Sequence, residues 1–461
     1  MVDTLFMAAG IIPRYVGEVP ASGPLLYYGS LALRSLPRER CILLAHSPGA
    51  WAGFDGTTDI ARQQISHDLC TVLPHSELPP DAGFDVCADI LANAFYFLTS
   101  WSERLVRGAP TRGLSAASVF ARLQVPIDIV DRYLARLVDV LQRLLERLNL
   151  APAVGPDWGE GRRYAVVLSH DVDFLPSGMG DVLIQGAKTF ARHLVRQADP
   201  VDAARALAGL VSAVARGRDP YGCVPHIIHE EQCRGVRASF QVAVGRRHQN
   251  DVRYRVEDDK VRDYLRVIPE SGFDLCLHGS YLSTQNSAWY VEEAELLAAR
   301  LGRPLGSRQH YLSFEYDTLF SAQEQAGIQY DMSMGFPDAP GPRAGFSFPY
   351  FPFNLRENRP YDVLEISLFL MDVTLRGYLG LKGARAWEVM ESHLADLRRK
   401  GGCASVVWHP IVFGGARDPG DADLFWKMVE YIKDTRGLAT DGRELNALWR
   451  ARARQYSSFC R

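Results

Sequence analysis

From Tyr164 onward, short apolar runs alternate with longer stretches of helical periodicity, and that alternation leaves the chain few architectures. The runs cover residues 164–169, 238–244, 273–277, 309–312, 328–330, 364–371 and 404–408. Helical patterns over 181–196, 201–216, 291–301, 316–326 and 384–400 lie among them. Strands separated by helices return in parallel, so the pattern predicts a parallel sheet with helical crossovers. Seven runs of this kind, all in one direction, predict a closed or nearly closed barrel.

A parallel barrel carries its chemistry at the C-terminal mouth, on residues just past each strand. The first run ends in His170-Asp171-Val172-Asp173 and the third in His278-Gly279-Ser280-Tyr281. The fourth carries Arg308-Gln309-His310-Tyr311, and the fifth ends in Asp331-Met332-Ser333. The sixth contains Glu365 and reaches Asp372, and the last ends in Trp408-His409-Pro410. Four of the 12 histidines fall in these places. Taken singly, each has a bland reading: an Asp after a strand caps a helix or shapes a turn, and a lone His is a satisfied structural residue. Taken together at one mouth, buried charges must pair or bind a metal. Carboxylates and imidazoles without a cysteine pattern suit a divalent cation with nitrogen and oxygen ligands, zinc first, with cobalt, nickel, manganese or iron(II) also fitting. Such a site, with a carboxylate base and an imidazole acid, has the parts of an amide hydrolase.

The remaining features bound the alternatives. Among 461 residues, 47% are apolar and 23% charged, enough for a sizeable core and two or three domains. A net charge of −3 offers no global attraction for nucleic acid, and the clusters Arg398-Arg399-Lys400 and Arg246-Arg247 are short. The eight cysteines are scattered with no zinc-knuckle or redox spacing. No basic region precedes the first apolar stretch, and no window approaches the ~20 apolar residues a bilayer span needs, so cytoplasmic residence is the expectation. Before the barrel, residues 25–33 and 40–45 read as strands or a hairpin, and 86–101 as a helix. Apolar residues at Val130, Leu134, Leu137, Leu141, Leu144 and Leu148 predict an amphipathic helix over 127–148. The turn-rich segment 149–157 then predicts a boundary, giving an N-terminal α+β domain over 1–150 and the barrel over 151–461.

The aspartates after the first strand, His278 after the third, Arg308 on the fourth and the late His409 resemble the polysaccharide deacetylases (NodB-like, carbohydrate esterase family four), over roughly residues 163–410. The branch whose first motif reads His-Asp-Val-Asp, preceded by an N-terminal domain of unknown function, is the most similar. Segment 84–104, Asp331-Met332-Ser333-Met334-Gly335-Phe336 and Arg343-Ala344-Gly345 also resemble it. The resemblance implies a distorted (β/α)7 barrel that removes acetyl groups from N-acetylated, less often O-acetylated, saccharides. It implies Asp171 as general base, Asp173 and His278 as metal ligands, Arg308 as the residue orienting the base, and His409 as general acid.

The pattern departs from the family in two ways. Val172 separates aspartates that the family keeps adjacent, which leaves their division of labour open. Leu282 stands where a second ligand histidine is usual; His310, in place of a usual proline, is the expected substitute, with His170 the other candidate. Tyr281, Tyr311 and Asp331 are expected to contact substrate. Phe348, Tyr350 and Phe353 are further aromatics available to stack on sugar rings or to pack in the core. Two other functions stay open: hydrolysis of a small non-peptide amide on the same barrel, and a glycan-binding pseudoenzyme, to which Leu282 points.

Overall fold

The computed structural model describes residues 2–9, 22–30, 36–52, 54, 60–61, 63–66, 69–79, 83–104, 118–152, 155–176, 179–196, 199–215, 220–221, 223–313, 315–414 and 420–457. Its centre is a parallel sheet whose strands are β1 (Tyr164–Val172), β2 (Ser239–Ala243), β3 (Asp274–Gly279), β4 (Gly306–Gln309) and β5 (Tyr330–Asp331), followed by β6 in two pieces (Leu364–Glu365 and Leu368–Met371), β7 (Cys403–Val407) and β8 (Gly437–Thr440). Neighbours run β5-β4-β3-β2-β1-β7, and β6 closes the circuit. Its first piece pairs with β5 and its second with β7, with a register shift between Leu368 and Leu370. Ile366 N donates to Asp331 O at 2.9 Å, and Ser405 N to Ser367 O at 2.8 Å, so one run bonds to both sides. The result is a distorted (β/α)7 barrel, as expected.

The eighth strand was not legible as a run. β8 pairs with the lower half of β1, Tyr164 to Val167, and β2 takes over that edge from Ser169 upward. It serves as a wedge where the barrel opens at its base. Two other expectations shift. The fourth strand ends at Gln309, and His310–Leu312 is a tight helical turn. The strand's own inward residues, Gly306 and Arg308, are not apolar, so the apolar run marked its exit instead. In the N-terminal part, Leu25–Gly29 and Cys41–Ala45 pair in parallel, which excludes a hairpin between them. The helix expected over 86–101 begins at Ile90, where the Asp89 carboxylate caps Ala92 N at 2.9 Å.

Inward-facing residues alternate along each strand. At the base, the Tyr330 hydroxyl donates to Asp274, and Ser239 Oγ donates to the same carboxylate at 2.6 Å. The Tyr330 ring crosses so close to Gly306 that a Cβ there would lie 2.2 Å from it; only glycine fits. The barrel is therefore filled below and open for chemistry only above.

The N-terminal helices share the barrel's apolar core. Helix Ile129–Arg147 buries Ile129, Val130, Tyr133, Leu134, Leu137, Val140, Leu141 and Leu144 along one face, each worth roughly 1.5–3 kcal/mol on burial. On the same helix, buried Asp131 accepts from Ser347 N at 2.8 Å and pairs with Lys400 Nζ at 3.0 Å. Glu103 grips Arg343 with two bonds, at 2.9 and 2.8 Å. The seven described cysteines are free thiols. No described helix is long and apolar enough to cross a membrane.

Candidate active site

Strand alternation places Ser169, Asp171 and Asp173 toward the barrel axis and His170 away from it. His170 is fully buried behind β1, bonded through Nδ1 to Trp408 O at 2.7 Å and through Nε2 to Glu231 at 3.0 Å. It is thus a packing residue between strand and helix and takes no place at the mouth. Asp171 receives Arg308 Nη1 at 2.6 Å. The same guanidinium donates to Ser169 Oγ at 2.8 Å and to Met332 O at 3.0 Å, so three bonds fix its plane. Burial pushes the Asp171 carboxyl up, but Arg308, His278 and His409 outweigh it and hold it below its ordinary value.

Asp173, His278 and His310 offer ligand atoms that all lie within 4.8 Å of one another. His278 Nε2 is 3.2 Å from Asp173 Oδ1, and His310 Nε2 is 3.6 Å from it. The other ring nitrogen of His278 lies 2.9 Å from Arg308 O. A carbonyl only accepts, so Nδ1 donates to it and Nε2 is the nitrogen that faces the cluster, as in a metal-ligating imidazole. Burial disfavours a second proton on the ring, but Asp171 and Asp173 outweigh it and raise its proton affinity, so a cation and a proton compete for Nε2. Asp173 Oδ1, His278 Nε2 and His310 Nδ1 are buried atoms without a hydrogen bond. Buried polar atoms are rarely left so, and a cation beside Asp173 Oδ1 and His278 Nε2 would satisfy both. The donor set of one carboxylate and two imidazoles fits zinc and its borderline neighbours. Burial raises the Asp173 carboxyl, and the surrounding imidazoles, His310 foremost, reverse this and hold it well below its usual range.

His310 reaches the cluster because the backbone turns sharply after β4. Tyr311 and Leu312 both take left-handed conformations, with φ of 60° and 51°. Such geometry costs roughly 1–2 kcal/mol for a residue with a Cβ. It sends His310 inward and leaves Tyr311 half exposed at the rim.

His409 lies opposite. Its Nδ1 is 2.7 Å from Asp372 Oδ1, its backbone N donates to Asp372 Oδ2 at 3.1 Å, and its Nε2 is 3.4 Å from Asp173 Oδ2. Burial lowers the imidazole, but Asp372 and Asp173 dominate and hold it protonated well above its ordinary value. Asp372, seen in the sequence only as the end of a run, is therefore the residue that aims His409.

Asp171, Asp173, His278, His310, Tyr311 and His409 line one cavity of about 270 Å³, with Gln309, Leu312, Pro337, Met371, Val373 and Tyr378 completing it. Arg308 lies beneath it. Tyr281 stands behind the rim, stacked on His248 at 4.5 Å and edge-on to Tyr311 at 5.6 Å. Asp331 does not line the cavity. Its fully buried carboxylate receives Ser307 Oγ, Gln323 Nε2 and Ser333 N at 2.9, 2.6 and 2.8 Å, a bracing role below the mouth. Phe348 and Tyr350 are core residues, and Phe353 packs on Phe95 of the N-terminal part. Sequence reasoning missed Met371, Val373 and Tyr378, since an apolar cavity wall has the same signature as core. A larger hollow of about 820 Å³ lies between helix Ile129–Arg147 and Lys400, but its cations face acids.

The loop after β3 rests on Glu293, which is buried and accepts from Ser280 N at 2.9 Å and Ser280 Oγ at 2.5 Å. Burial pushes its carboxyl up to about 7, against the pull of Ser280 and Arg247. A raised carboxyl binds its proton more tightly in the folded chain. Its stabilisation is complete below the ordinary value of about 4.3 and is lost as pH rises through about 7, an effect on the order of 3 kcal/mol. Thermal melts of the wild type should therefore weaken across this window, and Glu293→Gln should flatten that part of the profile. An unchanged pH profile in the variant would refute the assignment.

Fold and mouth together define a β/α barrel with a carboxylate–imidazole cluster suited to a divalent cation. No family model matches the chain, and no curated protein matches it. Among solved structures it is similar to a candidate polysaccharide deacetylase from Mycobacterium smegmatis, at 18% identity and a TM-score of 0.44, covering 66% of this chain and 96% of that one. It is also similar to the Puue allantoinase, at 15% identity and a TM-score of 0.41, covering 65% and 95%. A mutant CE4 family pseudoenzyme with restored enzymatic activity overlaps at 11% identity and a TM-score of 0.33, covering 65% and 73%. Overlaps this loose leave the chemistry to be read from the site's own geometry.

Proposed function

We propose that this protein is a metal-dependent hydrolase of the deacetylase type, acting on an acetylated saccharide, with the N-acetyl amide as the preferred bond. The observation that carries this reading is the cluster of Asp173, His278 and His310, in which Asp173 Oδ1 and His278 Nε2 are buried without a hydrogen bond, set between a carboxylate held by Arg308 and an imidazole held by Asp372. Those three residues would hold the cation, zinc first among the candidates. When bound, it supplies Lewis-acid polarisation of the carbonyl and acidifies nearby water.

The chain's own groups do the rest. Asp171, kept ionised by Arg308, accepts the proton of the attacking water. His409, kept protonated by Asp372, delivers a proton to the departing nitrogen. Arg308 does not touch substrate in this scheme; it holds the base in place and in charge state. Tyr311, exposed at the rim, is positioned to stack on a sugar ring. Affiliation with the His-Asp-Val-Asp branch belongs to the same proposal.

A second reading has one observation in its favour. A cavity of about 270 Å³ is small, closer to one ring or a compact amide than to a polymer segment. Metal analysis of the purified protein, with acetate release from N-acetylglucosamine oligomers, tests the first reading. Turnover of a small cyclic amide with acetylated glycans untouched would move the assignment to the second. No metal retained, and no activity with added zinc or cobalt, would sink both.

A further inference from the structure

Between β1 and β2 the chain makes a helical hairpin, Met179–Ala191 continued by Arg192–Arg196, then Pro200–Ala215. Of the fifteen large apolar side chains exposed among the described residues, ten lie on this hairpin. Such concentration is unusual, because apolar exposure is ordinarily scattered. The inner faces are already used: Gly186 meets Leu210 so closely that a Cβ would lie 2.5 Å from its methyl, and Val182, Ala203 and Ala206 are buried with them. What remains outward on the first helix is Leu183, Ile184 and, at its end, Val195; on the second it is Val201, Leu207 and Val211.

The fully exposed charges on this hairpin have one sign. Lys188 and Arg205 are exposed on it. The acids are withdrawn: Asp181 is half-buried, Asp199 at the turn is half-buried and paired with Lys382, and Asp202 is buried against Arg376 Nη2 at 2.5 Å, Lys382 Nζ at 2.8 Å and Arg205 Nη1 at 3.4 Å. The clamp also fixes where the hairpin sits. Arg376 belongs to the turn Thr374–Tyr378, whose Tyr378 lines the active-site cavity. The apolar face is thus held beside the mouth.

We infer that this hairpin is a membrane-docking surface, which lies in the interface of a bilayer containing anionic lipid and turns the barrel mouth toward it. An apolar face bordered by cations is the pattern of a helix lying in the lipid interface, and neither helix is long and apolar enough to span. Charge decides against the obvious rival. A second copy docking the same face would bring the exposed cations Lys188 and Arg205 against their own equivalents, with only half-buried or already paired acids to meet them, whereas anionic headgroups supply a full opposite charge. The inference does not depend on the hydrolase assignment.

The test uses the full chain and sedimentation with vesicles of phosphatidylcholine alone, or of equal parts phosphatidylcholine and phosphatidylglycerol. The wild type should pellet with the mixed vesicles and much less with the neutral ones, and added salt should weaken it. Lys188→Ala with Arg205→Ala should weaken mixed-vesicle binding about fivefold per cation removed. Leu183→Glu with Leu207→Glu should reduce it at least about tenfold. All four positions are exposed, so circular dichroism should report unchanged folding. Failure of the wild type to pellet with either vesicle overturns the inference, as does undiminished binding by the Leu→Glu variant. A dimer in solution that Leu183→Glu dissolves, with no vesicle binding, overturns it in favour of a second copy.

Discussion

Asp173→Ala is expected to lose the bound divalent ion and to reduce hydrolysis by at least about a thousandfold, the scale of losing the metal's contribution to the barrier. Asp173 is the one carboxylate in the ligand cluster, and its Oδ1 is the atom to which both His278 and His310 point, at 3.2 and 3.6 Å. Alanine leaves two imidazoles with no anion between them. The loss has a readout independent of turnover. A ligand bound only by the folded chain stabilises it, by about 2.7 kcal/mol at a hundred times its dissociation constant. Added zinc should therefore raise the melting temperature of the wild type and leave Asp173→Ala unmoved. His310→Ala should fall between them, since Asp173 and His278 remain. Stoichiometric metal retained by Asp173→Ala would remove Asp173 from the ligand set.

The ease of reading this site in the sequence differed from residue to residue, for physical reasons. His278 lies at the end of β3 and His409 just past β7, strands dense in β-branched or apolar residues, so the strand locates the side chain at once. His310 follows a strand of Gly306, Ser307, Arg308 and Gln309, where small and polar inward residues suit a crowded axis and erase the usual pattern. The apolar run that did appear, 309–312, is the left-handed turn that aims His310. Asp331 shows the opposite error. Its place after a strand suggested the mouth, but β5 is short and sits low, so its carboxylate braces Ser307, Gln323 and Ser333. His170 was separable from Asp171 by strand alternation alone, once β1 is extended through Val172. β8 escaped because its four residues, Gly437–Thr440, pair only with the lower half of β1. The outward apolar face of the hairpin over 179–215 reads in sequence as ordinary helix; only the burial of its opposite face makes the exposure visible.

Arg308→Met should destabilise the fold by about 3–5 kcal/mol, the cost of stranding a buried charge that has lost its partner. Arg308 is 1% exposed and Asp171 5%, so water does not replace the lost bonds. The pH dependence carries the sign. In the wild type the Asp171 carboxyl is held below its ordinary value, so its stabilisation is present above the unfolded value of about 3.9 and lost only as pH falls through the lower folded value. Without the guanidinium, burial faces weaker opposition and the carboxyl moves up. The variant's deficit in chemical denaturation should then be largest at neutral pH and shrink on acidification, as the carboxyl takes its proton. Turnover should fall by roughly 10²–10⁴, with the acidic limb of its pH profile displaced upward, because a protonated Asp171 cannot accept the proton of water. Arg308→Lys keeps the charge without the three-bond fork and should recover stability better than rate. Adding Asp171→Asn to Arg308→Met removes the stranded charge and should restore part of the stability with none of the activity. Equal denaturation midpoints for the wild type and Arg308→Met at neutral pH would show that this guanidinium does not hold the base in its charged state.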